Sequence, residues 1–186
     1  SANADTLSGS WLDDTIRGRG GNDEIYAGWG DDEAYGGDGN DRISGGAGAD
    51  RLYGQAGDDT VLGGSGDDGI VAGNGDDLVS GGRGDDYIVA GNGRDTVVSG
   101  RGDDTITGNA GGDDLQGSGG QDTIYGGRGR DEVQGQSGDD ELYGGDGSDI
   151  VRGGYGADFS HGGAGDDEMF GGSGDDNLRG QNGDDR

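Results

Sequence analysis

The sequence predicts an all-β fold, a solenoid of stacked parallel strands, on the strength of three observations. A nine-residue unit repeats in phase from Gly9 to the end of the 186-residue chain, in nineteen full blocks and a shorter last one. The sixth position, or slot, of every block is Asp, and eighteen of the twenty eighth-slot residues, counting Leu7, are Ile, Leu, Val or Met. Glycine fills the fourth slot of every block except the first, where Leu12 stands. Such a repeat indicates turns that pack on their neighbours along one axis.

Each block divides into a loop and a short strand. The first six residues are rich in glycine, which permits the positive φ angles of tight turns, so we expect a loop that ends at the Asp. The last three residues place an aliphatic side chain between two others, and alternate residues of a strand face opposite sides. We therefore expect a three-residue strand with one buried residue, and a core one side chain thick that includes Ile25, Ile43, Val61 and Val79.

Composition alone would suggest disorder. Only 26% of the residues are hydrophobic, and 40 acidic against 12 basic residues give a net charge of −28. Chains of this kind bury too little apolar surface to fold. A disordered chain, however, has no reason to keep a carboxylate and an aliphatic residue in register over twenty blocks. We therefore predict that a component outside the chain neutralises the charge.

The same composition excludes several classes of function. The chain has no cysteine, which excludes disulfides and thiolate metal sites, and its one histidine, His161, cannot build an imidazole-rich zinc centre. The charge of −28 repels nucleic acid and anionic membranes. No apolar run approaches the ~18 residues of a membrane span. No nucleophile and base recur at a catalytic spacing, so we predict a protein that is not an enzyme.

The predicted core is too thin to hold the fold alone. Burying one Val, Leu or Ile contributes about 1.5–3 kcal/mol, whereas ordering nine residues costs about 1–2 kcal/mol each in backbone entropy. Stacking would also bring the loop carboxylates together at roughly 4.8 Å. A multivalent cation between the loops removes both difficulties. Carboxylate and carbonyl oxygens, without Cys or His, favour Ca²⁺ over Zn²⁺ or Cu²⁺, and Mg²⁺ prefers stricter octahedral geometry.

The candidate metal ligands are the sixth-slot aspartates. These residues are Asp14, Asp23, Asp32, Asp41, Asp50, Asp59, Asp68, Asp77, Asp86, Asp95, Asp104, Asp113, Asp122, Asp131, Asp140, Asp149, Asp158, Asp167, Asp176 and Asp185. Asp5 falls in the same phase ahead of them. The fifth slot is Asp in only eleven blocks, which leaves open whether it is a solvated carboxylate or a direct or water-mediated ligand.

Blocks such as GGAGADRLY, GGSGDDGIV and GGRGDDYIV resemble the RTX (repeats-in-toxin) nonapeptide, a calcium-binding repeat. The resemblance covers residues 5–186 and implies a right-handed parallel β-roll with two nonapeptides per turn, about ten turns here. It places Asp14, Asp32 and their successors along one edge and Asp23, Asp41 and theirs along the other, with Ca²⁺ between stacked loops. Nine gaps in each column give roughly 18 ions. It also implies a secreted or cell-surface bacterial protein exported by type I secretion machinery.

The expected domain limits lie where the sequence departs from the repeat. Residues 1–8 are a lead-in or partial repeat, and residues 9–186 form the β-roll. Within it, residues 9–17 are an atypical amino-terminal repeat, where Trp11 is expected to stack on Trp29, and residues 180–186 are a truncated last repeat, which predicts a fragment of a longer protein. Second-slot glycine is replaced at Gln55, Asn109, Ser118, Gln136 and Gln181, where we expect looser or weaker loops.

Three functions stay open at this point. The first is a calcium-dependent structural rod. The second is a surface-layer or adhesin module that binds copies of itself or glycans through an outward ninth-slot Tyr/Val ladder, Tyr35, Tyr53, Val71, Val89, Thr107, Tyr125 and Tyr143. The third is an accessory domain of a secreted enzyme or toxin. Ice binding through threonine arrays is disfavoured because the threonines form no sustained column.

Overall fold

The structure is a computed structural model that describes residues 3–186, and these residues form twenty β-strands. In chain order the strands are β1 (Thr6–Ser8), β2 (Thr15–Gly20), β3 (Glu24–Trp29), β4 (Glu33–Asp38), β5 (Arg42–Ala47), β6 (Arg51–Ala56), β7 (Thr60–Ser65), β8 (Gly69–Asn74), β9 (Leu78–Arg83), β10 (Tyr87–Asn92), β11 (Thr96–Arg101), β12 (Thr105–Ala110), β13 (Asp114–Gly119), β14 (Thr123–Arg128), β15 (Glu132–Ser137), β16 (Glu141–Asp146), β17 (Ile150–Tyr155), β18 (Phe159–Ala164), β19 (Glu168–Ser173) and β20 (Asn177–Asn182). Among the described residues no helix is long and apolar enough to cross a membrane.

The strands form two parallel sheets of ten strands each. Odd-numbered strands follow one another in one sheet and even-numbered strands in the other. Each paired strand residue has its partner 18 positions along the chain, as Ile25 does with Ile43 and Tyr35 with Tyr53. Two blocks therefore make one turn of a solenoid of about ten turns. This confirms the predicted all-β parallel solenoid.

The strands are longer than the sequence suggested. Most contain six residues, from the seventh slot of one block to the third slot of the next, as in β3. The three-residue strand predicted from the x-aliphatic-x pattern was too short, because the glycine-rich half of the block continues the ladder. Pairing covers the seventh to ninth and the second and third slots and skips the first slot, such as Ala27. The loop proper is therefore only the fourth to sixth slots.

The eighth-slot residues form the core, as predicted. Ile25, Ile43, Leu52 and Val61 have no exposed surface, and the first-slot residues Ala27, Ala72 and Ala90 are buried beside them. The two departures from the aliphatic pattern, Ala34 and Ser160, are also fully buried. Packing weakens towards the carboxyl end, where Leu178 is 42% exposed.

Positive φ angles recur at the second and fourth slots of every block after the first. Fourth-slot glycines have φ values such as 125° at Gly39, which an L side chain does not adopt without strain. In the second slot, the five residues that replace glycine keep the left-handed conformation, with φ from 77° at Gln136 to 86° at Gln55, and Arg19 joins them at 88°. The paired register continues through these blocks, as at Gln55 and Gly73, and looser or weaker calcium binding there stays a prediction.

Aromatic side chains stack along the outside of the solenoid. Trp11 and Trp29 stack at 5.8 Å between ring centroids, as expected from their spacing. Tyr35 stacks on Tyr53, and Tyr125 on Tyr143, each pair at 4.8 Å. The spacing of the Tyr pairs matches the distance between neighbouring strands of a sheet.

Candidate metal centre

The sixth-slot aspartates form two columns, one along each edge of the solenoid. From Asp23 onward, one carboxylate oxygen of each sixth-slot Asp accepts the backbone N–H of the Asp one turn earlier. For example, Asp131 donates to Oδ1 of Asp149 at 2.9 Å, and Asp23 donates to Oδ1 of Asp41 at 2.7 Å. The bond caps a backbone group at the point where the loop joins the next strand. Each Asp is therefore held in place by the preceding turn.

The other carboxylate oxygen, Oδ2, has no hydrogen-bond partner in the buried part of both columns. This holds for Asp23, Asp32, Asp41, Asp50, Asp59, Asp68, Asp77, Asp86, Asp95, Asp104, Asp113, Asp122, Asp131, Asp140, Asp149, Asp158 and Asp167. All of these residues are at most 3% exposed. A buried polar atom without a partner costs about 1–3 kcal/mol, and more when it is charged. Seventeen such atoms in register indicate a component that satisfies them together.

First-slot glycines leave the space into which these oxygens point. A methyl group added at Gly144 would lie 2.6 Å from Oδ2 of Asp149 and 2.6 Å from the carbonyl oxygen of Gly162, one turn later. At Gly108 the same position lies 2.6 Å from Oδ2 of Asp113 and 2.5 Å from the carbonyl oxygen of Gly126. A carboxylate oxygen and a carbonyl oxygen thus face one space with no donor between them. Two electron-rich atoms in that arrangement are stabilised by a cation or by a proton.

Loop carbonyls of the fourth slot also face the next turn. A methyl group at Gly39 would lie 2.7 Å from the carbonyl carbon of Gly21, whereas the second-slot carbonyl oxygen of Ser10 accepts the backbone amide of Trp29 at 3.3 Å. The loops of one column therefore present oxygen atoms to each other along the solenoid axis. Hard cations with six to eight oxygen ligands, above all Ca²⁺, fit such an environment better than metals that prefer nitrogen or sulfur.

The side chains alone do not make a metal site. Across residues 3–186, no group of three or more His, Cys, Asp or Glu side chains lies close enough to hold a metal ion. A cation in these loops would therefore take one or two carboxylates and complete its shell with backbone carbonyls. The residues present fit Ca²⁺ in that form, since calcium accepts carbonyl ligands and flexible geometry.

The ends of the columns differ from the middle. Oδ2 of Asp14 accepts the backbone N–H of Ser10 at 2.6 Å and its hydroxyl at 2.8 Å, so the atypical first block satisfies its own carboxylate. Asp176 and Asp185 are half-buried. Asp5, which the candidate set of twenty omitted, stands at the head of the Asp23 column, where its backbone amide donates to Oδ1 of Asp23 at 2.8 Å. Its in-phase position in the sequence was the available signal.

Burial raises the pKa of most sixth-slot carboxyls. Desolvation is the largest cause, the amide hydrogen bond from the preceding turn opposes it, and nearby carboxylates raise the pKa further in most cases. The pKa reaches about 7 at Asp59, Asp68, Asp86 and Asp122. It reaches about 6 at Asp50, Asp77, Asp113, Asp140 and Asp149. In the absence of a cation, these buried carboxyls therefore hold their protons to a higher pH than exposed aspartates do.

The fifth-slot residues form a second hydrogen-bonded ladder, which the sequence did not reveal. Here the acceptor belongs to the earlier turn: Oδ1 of Asp85 accepts the amide of Asp103 at 2.8 Å. Asparagine can also be the acceptor in this slot, since Oδ1 of Asn40 accepts the amide of Asp58 at 3.1 Å. The sixth-slot bonds run the opposite way, so neighbouring loops are tied in both directions. The fifth-slot carboxylates are exposed, in contrast to the sixth-slot ones.

Comparisons with known proteins agree with this geometry. A family model described as the RTX calcium-binding nonapeptide repeat, four copies long, matches residues 8–41, 35–70, 62–97, 71–106, 98–133, 107–142, 125–159 and 152–186. In fold the chain is similar to a solved structure described as a hyperactive, Ca²⁺-dependent, beta-helical antifreeze protein from an Antarctic bacterium. That match has a TM-score of 0.58 and 20% identity and covers 97% of this chain and 82% of the other. No curated protein matches the chain.

Proposed function

Because the chain belongs to the RTX calcium-binding nonapeptide repeat family, we propose that it is a non-enzymatic module of a secreted or cell-surface bacterial protein that folds on binding Ca²⁺. The folded module serves as a rigid structural rod. In this module residues 1–8 are a lead-in and residues 9–186 form the β-roll, with residues 9–17 as its atypical first repeat and residues 180–186 as its seven-residue last one.

The observation that carries the proposal is the row of seventeen buried, unpartnered Oδ2 atoms. The sixth-slot aspartates from Asp14 to Asp185 would hold Ca²⁺ together with loop carbonyls, and roughly 18 ions would fill the gaps between stacked loops. Bound calcium supplies positive charge that neutralises these carboxylates. The chain itself supplies the rest: Oδ1 caps the preceding turn, first-slot glycines keep the space open, and fourth-slot glycines allow the loops to approach.

Binding and folding are then one process. The core has only one or two inward side chains per block, and the net charge of −28 opposes compaction. A ligand that binds the folded chain but not the unfolded one adds its binding energy to stability. Without calcium the chain is a disordered polyanion, which suits passage through a type I secretion channel. Outside the cell, calcium at about 10⁻³ M matches the affinity typical of extracellular calcium modules.

Circular dichroism tests this proposal directly. We expect a disordered spectrum in excess EGTA and a β-sheet spectrum after Ca²⁺ is restored, with Mg²⁺ at equal concentration giving much less folding. Size-exclusion chromatography run in parallel should show the hydrodynamic radius fall on folding. Parallel β-structure that persists in EGTA would refute the proposal.

A second candidate function rests on the even-numbered sheet. Its outer face carries the stacked pairs Tyr35–Tyr53 and Tyr125–Tyr143, and Arg17 lies over the Tyr35 ring at 4.6 Å. Such a flat aromatic face would suit self-association or glycan binding in a surface-layer or adhesin protein. Ice binding is not proposed, because threonines are paired across neighbouring strands only at Thr105 and Thr123 among the described residues.

Replacing the four tyrosines with serine separates the second function from the first. If the face binds copies or glycans, the variant loses self-association in light scattering or binding to a glycan array, while calcium-induced folding is retained. If the parent chain shows neither association nor glycan binding, only the structural role remains. An accessory role beside an enzyme or toxin domain is tested by deleting the module from the intact parent protein.

A further inference from the structure

The first slot carries a side chain in only four blocks, and one of these side chains is polar. Ala27, Ala72 and Ala90 add a methyl group, whereas Ser99 adds a hydroxyl. Ser99 has no exposed surface. Because the first slot faces the sixth-slot carboxylate and the next turn's carbonyl, its side chain lies inside the candidate cation site. Ser99 therefore departs from the glycine of the repeat at a position inside the candidate cation site.

The hydroxyl of Ser99 already has a partner in this space. It donates a hydrogen bond to the carbonyl oxygen of Gly117, one turn later, at 2.7 Å. Gly117 is the equivalent of Gly162, whose carbonyl oxygen shares its space with Oδ2 of Asp149. Burial raises the pKa of Asp104, in the same block, and the nearby Ser99 hydroxyl opposes that rise, although Oδ2 of Asp104 accepts no hydrogen bond of normal geometry. One of the two oxygens that face this site is thus occupied by a donor of the chain.

We propose that Ser99 makes the Asp104 position the weakest calcium site among the buried sixth-slot aspartates, because its hydroxyl occupies the Gly117 carbonyl that the ion would otherwise bind. Calcium must break that buried hydrogen bond or do without one ligand. The net value of a neutral hydrogen bond corresponds to a reduction in affinity of about three- to tenfold. This inference rests on the proposed calcium-dependent function and assigns one position a distinct affinity.

The first block provides an independent example of the same effect. There Ser10 donates both its amide and its hydroxyl to Oδ2 of Asp14, so serine satisfies a loop oxygen without a cation. The acceptor differs, a carboxylate at Asp14 and a carbonyl at Gly117, but in both loops a serine hydroxyl occupies an oxygen that faces the stacked loops. At Ala27, Ala72 and Ala90 the added methyl group cannot donate, which makes alanine the matched reference at this slot.

The test compares the intact chain with Ser99→Ala and Ala90→Ser. Crystals grown with calcium are equilibrated at graded free Ca²⁺, and the anomalous signal gives the occupancy of each site separately. In the parent chain we expect the Asp104 site to need about three- to tenfold more calcium for half-occupancy than the sites at Asp32, Asp77 and Asp95. Ser99→Ala should remove that difference, and Ala90→Ser should create it at Asp95.

Hydrogen exchange at one limiting calcium concentration provides a solution measurement. Segment 99–122 should be less protected than segment 27–50 in the parent chain and equally protected in Ser99→Ala. Ser99→Gly restores the commonest residue of the first slot. Comparing it with Ser99→Ala separates the effect of the hydroxyl from the effect of the side-chain volume. Equal occupancies in the parent chain, or weaker binding after Ser99→Ala, would overturn the inference, the latter by making the hydroxyl a ligand. If no site binds calcium at all, the proposed function fails instead.

Discussion

Asp149 accepts the backbone amide of Asp131 through Oδ1 at 2.9 Å, while its Oδ2 lies buried without a partner. One carboxylate thus has two separate tasks. Oδ1 fixes the stacking of consecutive turns, and Oδ2 is left for a component that the chain does not provide. The relationship recurs through the buried part of both columns, so the fold is organised around oxygen atoms as much as around aliphatic side chains.

The first prediction separates the two acidic slots. Asp86→Asn removes a charge from the buried column, where Asp86 also accepts the Asp68 amide at 2.9 Å. The neighbouring exposed residue provides the control, because Asp85→Asn keeps an Oδ1 acceptor of the kind that Asn40 already supplies. In a calcium titration followed by circular dichroism, Asp86→Asn should raise the midpoint clearly and Asp85→Asn only slightly. Equal shifts would mean that the fifth slot also binds the ion.

The second prediction concerns pH, and its sign differs with and without calcium. Buried carboxyls with folded-state pKa values of about 6 to 7 bind protons more tightly in the folded chain than in the unfolded chain, where Asp titrates near 3.9. In EGTA, this stabilisation is fully present below about pH 4 and is lost as the pH rises through 6 to 7. Acid should therefore compact the metal-free chain.

Calcium binding should show the opposite dependence. Its carboxylate ligands must be deprotonated, so the free calcium needed for folding should rise as the pH falls below 7. Circular dichroism between pH 4 and pH 8, in EGTA and in calcium, measures both pH dependences. A metal-free chain that is least compact at pH 4, or a calcium midpoint independent of pH, would contradict the assignment of these carboxyls.

The third prediction contrasts two glycine slots. Gly39 has φ of 125°, and an added Cβ would lie 2.7 Å from the carbonyl carbon of Gly21. Gly39→Ala should therefore lower the stability of the calcium-loaded fold by more than about 2 kcal/mol. Gly119→Ala is the control, because Gly119 has no positive φ and an added Cβ would lie 3.4 Å from its nearest neighbour, the hydroxyl oxygen of Ser137. Thermal unfolding in calcium should rank the two variants in that order, and the reverse order would refute the argument.

The fourth prediction concerns a polar residue in the core. Ser160 stands in the eighth slot between Leu142 and Leu178, is fully buried, and leaves its hydroxyl without a partner. Ser160→Val removes that unsatisfied group and adds apolar contact, so we expect about 1 kcal/mol or more of added stability in calcium. Differential scanning calorimetry should show a higher Tm. A lower Tm would indicate that the hydroxyl has an unseen partner such as a buried water.

Much of the fold could be predicted because the repeat fixes its own register. A period of nine with one aliphatic residue places every Ile25-like side chain inside, and the family resemblance supplied the two-block turn. Strand length could not be predicted from the same pattern. Glycine has no side chain to alternate between faces, so the sequence gives no sign that the residues after Tyr26 continue the ladder to Trp29.

The candidate site was predicted in its residue types but not in its detail. The invariant slot identified Asp149 and its equivalents. Which oxygen accepts a backbone amide, Oδ1, and which is left without a partner, Oδ2, depends on how closely two turns approach. The Ser10–Asp14 contact joins two slots of one block, the Ser99–Gly117 contact joins first slots of successive turns, and only the folded geometry shows either hydrogen bond. Repeat phase, by contrast, could have added Asp5 to the set.

The register of 18 residues between stacked strands also determines how the molecule would respond to tension. Each turn is paired only with the turns before and after it, so a force applied at one end acts on a single turn at a time. Releasing one turn frees 18 residues and lengthens the chain by about 55 Å, the extended length minus one strand spacing. Pulled from its end, the solenoid would yield in equal steps, each of which opens the next pair of loops to the solvent.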